Sequence, residues 1–156
     1  MIKRLSADAR ELVLRAATAE AHRRGDRRLG TDHLLLGLLH DPTGDVARVL
    51  GVDLAAARAA DDALDRTALA AVGIAITVPP SSEEAAGGGS LALTSSARAA
   101  FKRALDQARP VRTGRIETRH FLLAVLDCER PDPAAALLQH LGIDRAAVRA
   151  RLAAEH

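Results

Sequence analysis

The sequence predicts an all-α fold, and three observations carry that reading: the kind of apolar residue used, its spacing, and an internal repeat. Apolar side chains make up 48% of the 156 residues, yet Phe101 and Phe121 are the only aromatics and the bulk is Ala and Leu. Strands favour aromatic and β-branched residues, whereas Ala, Leu, Arg and Glu favour helices. A chain of this length buries roughly 70% of its unfolded surface, so it needs neither disulfide nor metal to fold.

The repeat organises the chain. Leu5-Ser6-Ala7-Asp8-Ala9-Arg10 aligns with Leu93-Thr94-Ser95-Ser96-Ala97-Arg98, an offset of 88. Thr31-Asp32-His33-Leu34-Leu35-Leu36 aligns with Thr118-Arg119-His120-Phe121-Leu122-Leu123 at an offset of 87, and Gly51-Val52-Asp53 with Gly142-Ile143-Asp144 at 91.

Each copy reads as four helices. In the first, Leu5, Ala9, Leu12, Ala16 and Ala19 recur at three- and four-residue steps and give one apolar stripe, with Ser6 as N-cap. Thr31 is the expected N-cap of the second helix, with Asp32 at its positive end. That helix carries Leu34, Leu35, Leu38 and Leu39, apolar on most sides, and is the expected buried centre. A third helix covers Asp45 to Leu50 and stops at Gly51; Asp53 caps a fourth that runs to about Asp65. In the second copy the helices run from Thr94 to about Arg109, where Pro110 stops the chain, from Thr118 to Asp127, from Asp132 to Leu141, and from Asp144 toward Ala154. Between the copies, Pro79-Pro80-Ser81-Ser82 and Gly87-Gly88-Gly89 read as a flexible linker.

Charge and chemistry exclude several functions. A net charge of +2, from 22 basic and 20 acidic side chains, is too even to point to nucleic acid. Cys128 is the only cysteine, which rules out an internal disulfide and fits a reducing compartment. Its thiol has no CxxC partner and is expected to be inert. No apolar run is long enough to span a membrane, no signal peptide is visible, and the expected setting is soluble and cytoplasmic. His33 and His120 lack the convergent ligands that zinc requires and read as structural. There is no phosphate loop and no nucleophile–base pair, so no enzyme activity, cofactor or metal is expected.

The motifs nevertheless resemble a known family. Leu29-Gly30-Thr31-Asp32-His33-Leu34-Leu35-Leu36-Gly37-Leu38-Leu39 is similar to the hallmark Ile-Gly-Thr-Glu-His-Leu-Leu-Leu-Gly-Leu of the Clp repeat. Leu5 to Arg10 resembles that family's Phe-Thr-x-x-Ala-Arg opening, and Val46-Ala47-Arg48-Val49-Leu50 with Gly51-Val52-Asp53 resembles its later segments. The resemblance implies two pseudo-symmetric four-helix Clp repeats packed as one N-terminal domain of a Clp chaperone. Repeat 1 is placed at 1–74, the linker at 75–92 and repeat 2 at 93–156. It further implies a ClpC-like, stand-alone, non-catalytic module without AAA+ ATPase modules, receiving proteins or peptides as an adaptor or decoy. Its implied partners are a Clp ATPase, that ATPase's substrates, phosphoarginine-marked proteins or cyclic-peptide antibiotics, with a monomer favoured and neither membrane nor nucleic acid involved. The alternative is a small helical DNA-binding regulator, suggested by the basic turn Arg23-Arg24-Gly25-Asp26-Arg27-Arg28.

Two sites follow from the resemblance. A phosphoarginine corner would use Arg27, Arg28, Thr31 and Asp32; these residues equally suit a plain helix start. A peptide groove between the two opening helices would use Ile2, Arg10, Val13, Leu93, Thr94, Arg98, Phe101 and Lys102; its apolar members equally suit packing between the copies. The second corner carries Arg119 in place of Asp32, so it would not receive an arginine head in the same way.

Overall fold

In the computed structural model, which describes residues 2–73 and 90–155, eight helices form around a core drawn from both copies. Most of the predicted 75–92 linker lies outside the described residues. After a 3-10 turn at Ile2–Arg4, helix α1 runs through Ala7–Ala9, a π-helical Arg10–Ala16 and Ala17–Arg24. The other helices of the first copy are α2 (Thr31–Leu38), α3 (Asp45–Leu50) and α4 (Leu54–Ala71). Those of the second are α5 (Ser95–Ala108), α6 (Thr118–Leu126), α7 (Pro133–His140) and α8 (Arg145–Ala154).

Short side chains set most helix starts. The Ser6 hydroxyl accepts from the Ala9 amide at 3.1 Å, and the Thr94 hydroxyl accepts from Ala97 at 3.1 Å. Asp53, Asp132 and Asp144 cap α4, α7 and α8 in the same manner. The first leucine-rich helix starts one residue earlier than the sequence suggests, and the second starts at Thr118 as expected. Gly30 and Glu117 are their N-caps, and the backbone N–H of each donates to Nδ1 of the histidine three residues on, at 2.9 Å in both copies. Thr31 is therefore not a cap. It is fully buried, its hydroxyl donates to Asp132 Oδ1 at 2.6 Å, and it receives the Ala134 amide at 3.3 Å. Helix α4 runs six residues beyond the expected Asp65, because nothing in its Ala-rich tail interrupts it before Gly73 at φ 79°.

The copies are joined by an exchange of backbone. Strand β1 (Arg28–Leu29) precedes α2, and β2 (Ala92–Leu93) precedes α5; the two pair in parallel, Leu29 opposite Leu93. Leu5, before α1, bridges Ile116, before α6, also in parallel. By the offsets of the repeat, Leu5 corresponds to Leu93 and Leu29 to Ile116, so each pair joins the first-helix entry of one copy to the second-helix entry of the other. Their flanking bonds match: Ser6 N–H donates to Ile116 O at 3.0 Å, and Thr94 N–H donates to Leu29 O at 3.0 Å. Helices α2 and α6 pack on each other at this approximate two-fold, α2 also meets α7, α6 meets α3, and the outer helices follow as α4 on α7 and α8 on α3.

Helix α2 is buried throughout, as its leucines demand. It crosses α1 at the π-helical segment, where the Ala17 N–H reaches back five residues to Leu12 O. The extra residue in that turn rotates the apolar face, so Ala17, Glu20 and Ala21 are buried while the expected stripe residue Ala19 is exposed. Gly37 makes the crossing possible. A Cβ there would stand 2.4 Å from the Leu12 carbonyl oxygen and 2.8 Å from the Ala17 nitrogen. The matching residue of the second copy is Ala124, where α5 is regular. Gly37→Ala is expected to cost about 1–3 kcal/mol by overpacking, read as a lower urea midpoint. Its counterpart Ala124→Gly is expected to cost about 2 kcal/mol, through helix propensity and the loss of a buried methyl group.

Candidate functional site

The side chains that could meet a ligand converge at the corner where α1 turns into α2. Gly25, at φ 75°, ends α1 and sends the chain through Asp26, Arg27 and Arg28 into β1. Arg24, on the last turn of α1, folds its guanidinium into this corner. Its Nη1 donates to Asp32 Oδ2 at 3.0 Å, its Nε lies 3.4 Å from Asp26 Oδ2, and it forms ion pairs with Asp61 and Asp65 of α4. His33 completes the arrangement. Its Nδ1 already accepts the Gly30 amide, so the ring proton sits on Nε2 and is donated to Asp26 Oδ2 at 2.8 Å.

One guanidinium cannot neutralise four carboxylates. Asp61, only 4% exposed, is pushed up to about 6 by burial and by Asp32 and Asp65, against the pull of Arg24. Asp65 is raised by burial and by neighbouring carboxylates. Asp26 is opposed by burial, yet His33 and Arg24 hold it below its ordinary range. Burial works against the charge on Arg24, but the carboxylates around it more than compensate and keep it protonated.

A second ion cluster lies one turn earlier on α1. Glu20 is 1% exposed and accepts from Arg58 Nε at 3.0 Å, Arg23 Nε at 3.0 Å and His40 Nε2 at 2.7 Å. Burial pushes its carboxyl up, but these three donors override it and bring it down to about 2. Glu20 and Arg24 stand four apart on α1; Arg58, Asp61 and Asp65 stand on one face of α4. The two helices are thus bolted by ion pairs of opposite sense, which fixes α4 as one wall of the corner.

The opening in front of these groups has a volume of about 650 Å³. Leu64 and Ala68 of α4 with Pro133 and Ala136 of α7 supply apolar lining; Arg27 and Arg28 stand at its rim, and Thr94 and Ser96 reach it from the second copy. Arg27, Arg28, Asp32 and Thr94, expected in two separate sites, therefore share one cleft. Thr31 lies outside it, its hydroxyl committed to Asp132. Asp32 already holds Arg24, so an incoming guanidinium would compete with the chain's own.

The remaining groove residues are dispersed by burial. Val13 and Phe101 are core residues, and Phe101 meets Phe121 edge to face at 5.0 Å and 75°. Leu93 is half-buried in β2, and Arg98 donates to its carbonyl at 3.4 Å. Arg10 and Lys102 are exposed, with Lys102 3.3 Å from Asp106. Ile2 belongs to the first 3-10 turn. Cys128 is buried against Arg103, and desolvation pushes its thiol up to about 11, which makes it unreactive at neutral pH. Among the described residues no cluster of His, Cys, Asp or Glu could hold a metal ion, and no helix is long and apolar enough to cross a membrane.

A helical pair of repeats with an open, mixed-charge cleft at their junction defines a binding domain. The chain belongs to the family described as the Clp repeat (R) N-terminal domain, which matches residues 4–87, more than half of its length. In Clp chaperones this domain is a non-catalytic module that binds substrates and adaptors. The N-terminal domain of the caseinolytic protease associated chaperone ClpD from Arabidopsis thaliana has the same fold, with a TM-score of 0.69 at 21% identity, over 97% of this chain and 99% of that one. No curated protein sequence matches the chain.

Two pH-dependent outcomes follow from the ion clusters. Glu20 is more acidic folded than unfolded, so its contribution is complete above the ordinary 4.5 and is lost as pH falls toward about 2. Glu20→Gln should lower stability by about 3 kcal/mol at pH 7 and remove this acid-side slope, measured by urea titration. Asp61 has the opposite sign. Its folded state holds the proton more tightly, so stability falls as pH rises from 3.8 to about 6. Asp61→Asn should flatten that fall while leaving the Glu20 slope below pH 4.5 in place.

Proposed function

We propose that this chain is a protein- and peptide-receiving module whose mouth is the cleft at the corner of the first repeat. The observation that carries the reading is the pairing, in one opening, of two rim arginines without ion pairs among the described residues, Arg27 and Arg28, with carboxylates in excess of their single internal cation. A phosphoarginine side chain has both complementary groups. Its phosphate would meet Arg27 and Arg28. Its guanidinium would meet Asp65, whose side chain is 47% exposed and is the most open of the four acids, with Asp32 behind it. The apolar wall from Leu64, Ala68, Pro133 and Ala136 suits the flanking peptide or a cyclic-peptide antibiotic. The same reading makes the chain a ClpC-like adaptor or decoy, monomeric, cytoplasmic and dependent on a Clp ATPase for any unfolding.

Titration of the protein with a phosphoarginine peptide, followed through NMR amide signals, tests this. Shifts are expected from Arg27 to Asp32 and at Ser96, with weaker binding of the unphosphorylated peptide. The double variant Arg27→Gln/Arg28→Gln should weaken binding by about tenfold or more. Absence of shifts at the corner with phosphoarginine and cyclic peptides alike would remove both ligands from consideration.

A further inference from the structure

We propose that a second surface, at the entry shared by α1 and α6, docks an acidic peptide segment through Lys3, Arg4, Arg112 and Arg115. The choice of a peptide rests on the receiving role proposed above; the surface itself does not.

The argument starts from the bridge between Leu5 and Ile116. Its parallel register sets Arg4 opposite Arg115, and Ile116 N–H donates to Arg4 O at 2.8 Å. Aligned residues of neighbouring strands project to the same side, and like charges there destabilise the pair. The equivalent position in the exchanged pair joins Arg28 to Ala92, so the doubled charge is peculiar to this edge. Arg4 is also held in place: its Nε donates to Gly114 O at 3.2 Å, across the turn closed by Gly114 N–H to Val111 O at 2.9 Å. Arg112 sits within that turn.

All four cations are exposed, and none forms an ion pair with a described residue. Several exposed cations elsewhere do: Arg15 with Glu11, Arg48 with Asp45 and Glu155, Lys102 with Asp106; the rim pair Arg27 and Arg28 does not. The sequence supplies little compensation here. No carboxylate precedes Asp8, and between Asp106 and Asp127 the only one is Glu117. Asp106 is taken by Lys102 and Arg109. An uncompensated row of exposed cations, partly ordered by a backbone contact, complements an extended acidic segment; it offers no buried cradle for a single small ion.

Fluorescence anisotropy with a labelled oligoglutamate peptide tests the surface. Binding is expected at low salt and should weaken steeply between about 50 and 200 mM, as for exposed charges. Arg4→Gln/Arg112→Gln/Arg115→Gln should weaken binding by about tenfold or more, while Arg27→Gln/Arg28→Gln leaves it unchanged. Because the row is self-repelling, the triple variant should melt no lower than the parent. Arg112→Gln alone, in the exposed turn, should show a smaller loss and gives an answer even if the triple variant unfolds. The proposal is overturned by absence of binding to the parent protein, by equal losses in both sets of variants, or by tighter binding of a DNA oligonucleotide of equal charge. Since the rim variants report on the cleft, this surface and the cleft can fail independently.

Discussion

The exchange of backbone between the copies is the constraint on which the rest of the fold depends. Leu29 completes its strand pair with Leu93, and Leu5 with Ile116, so neither copy closes its own entry segments. Once these two crossings are made, α2 and α6 are forced together at the centre, and their leucines find apolar surroundings on most sides. The outer helices then have one arrangement left, α4 over α7 and α8 over α3. The cleft is a by-product of that packing: one wall is α4 of the first copy, another is α7 of the second.

The two halves share a plan but differ in what their corners do. In the first, Arg24 gathers four carboxylates and Glu20 gathers three donors, which ties α1 to α4 through charges. In the second, Arg103 instead donates to the Ala124 carbonyl at 3.3 Å, and Arg145 donates to the Leu126 carbonyl at 3.0 Å. Thr31 bonds across to Asp132, whereas its counterpart Thr118 borders a small space beside Gly44 and Asp45, where no capping carboxylate stands at the helix start. The asymmetry accompanies the wide opening at the first corner.

Much of this was legible in the residues. The repeat, the helix count, the caps at Ser6, Asp53 and Asp144, and the stops at Gly51 and Gly142 all depend on local chemistry, which sequence spacing records. The π-helical turn was not legible, since it answers to the close approach of Gly37 from another helix. Nor was the composition of the corner. Arg27, Arg28 and Asp32 could be named from the motif, but Arg24 sits in a run that reads as a solvated basic turn, and its partners Asp61 and Asp65 lie 37 and 41 residues away. A signal did exist: Arg58, Asp61 and Asp65 fall on one face of an otherwise alanine-rich helix, at a spacing that matches Glu20 and Arg24 on α1. Charges at matching helical steps in two segments are a pairing signal of the kind usually sought among apolar residues.

The crossed entries also bear on how such a chain could arise. A single four-helix copy, made alone, would present two short backbone edges, one before each of its first two helices, with hydrogen-bonding groups facing water. Each edge is complementary to the other rather than to itself, and the geometry that satisfies both at once is a symmetric pair of copies. The tandem chain is in this sense a dimer whose subunits have been made into one molecule. Covalent joining is what allows its halves to differ, as Asp32 and Arg119 do at equivalent positions, because a change is then introduced once rather than twice.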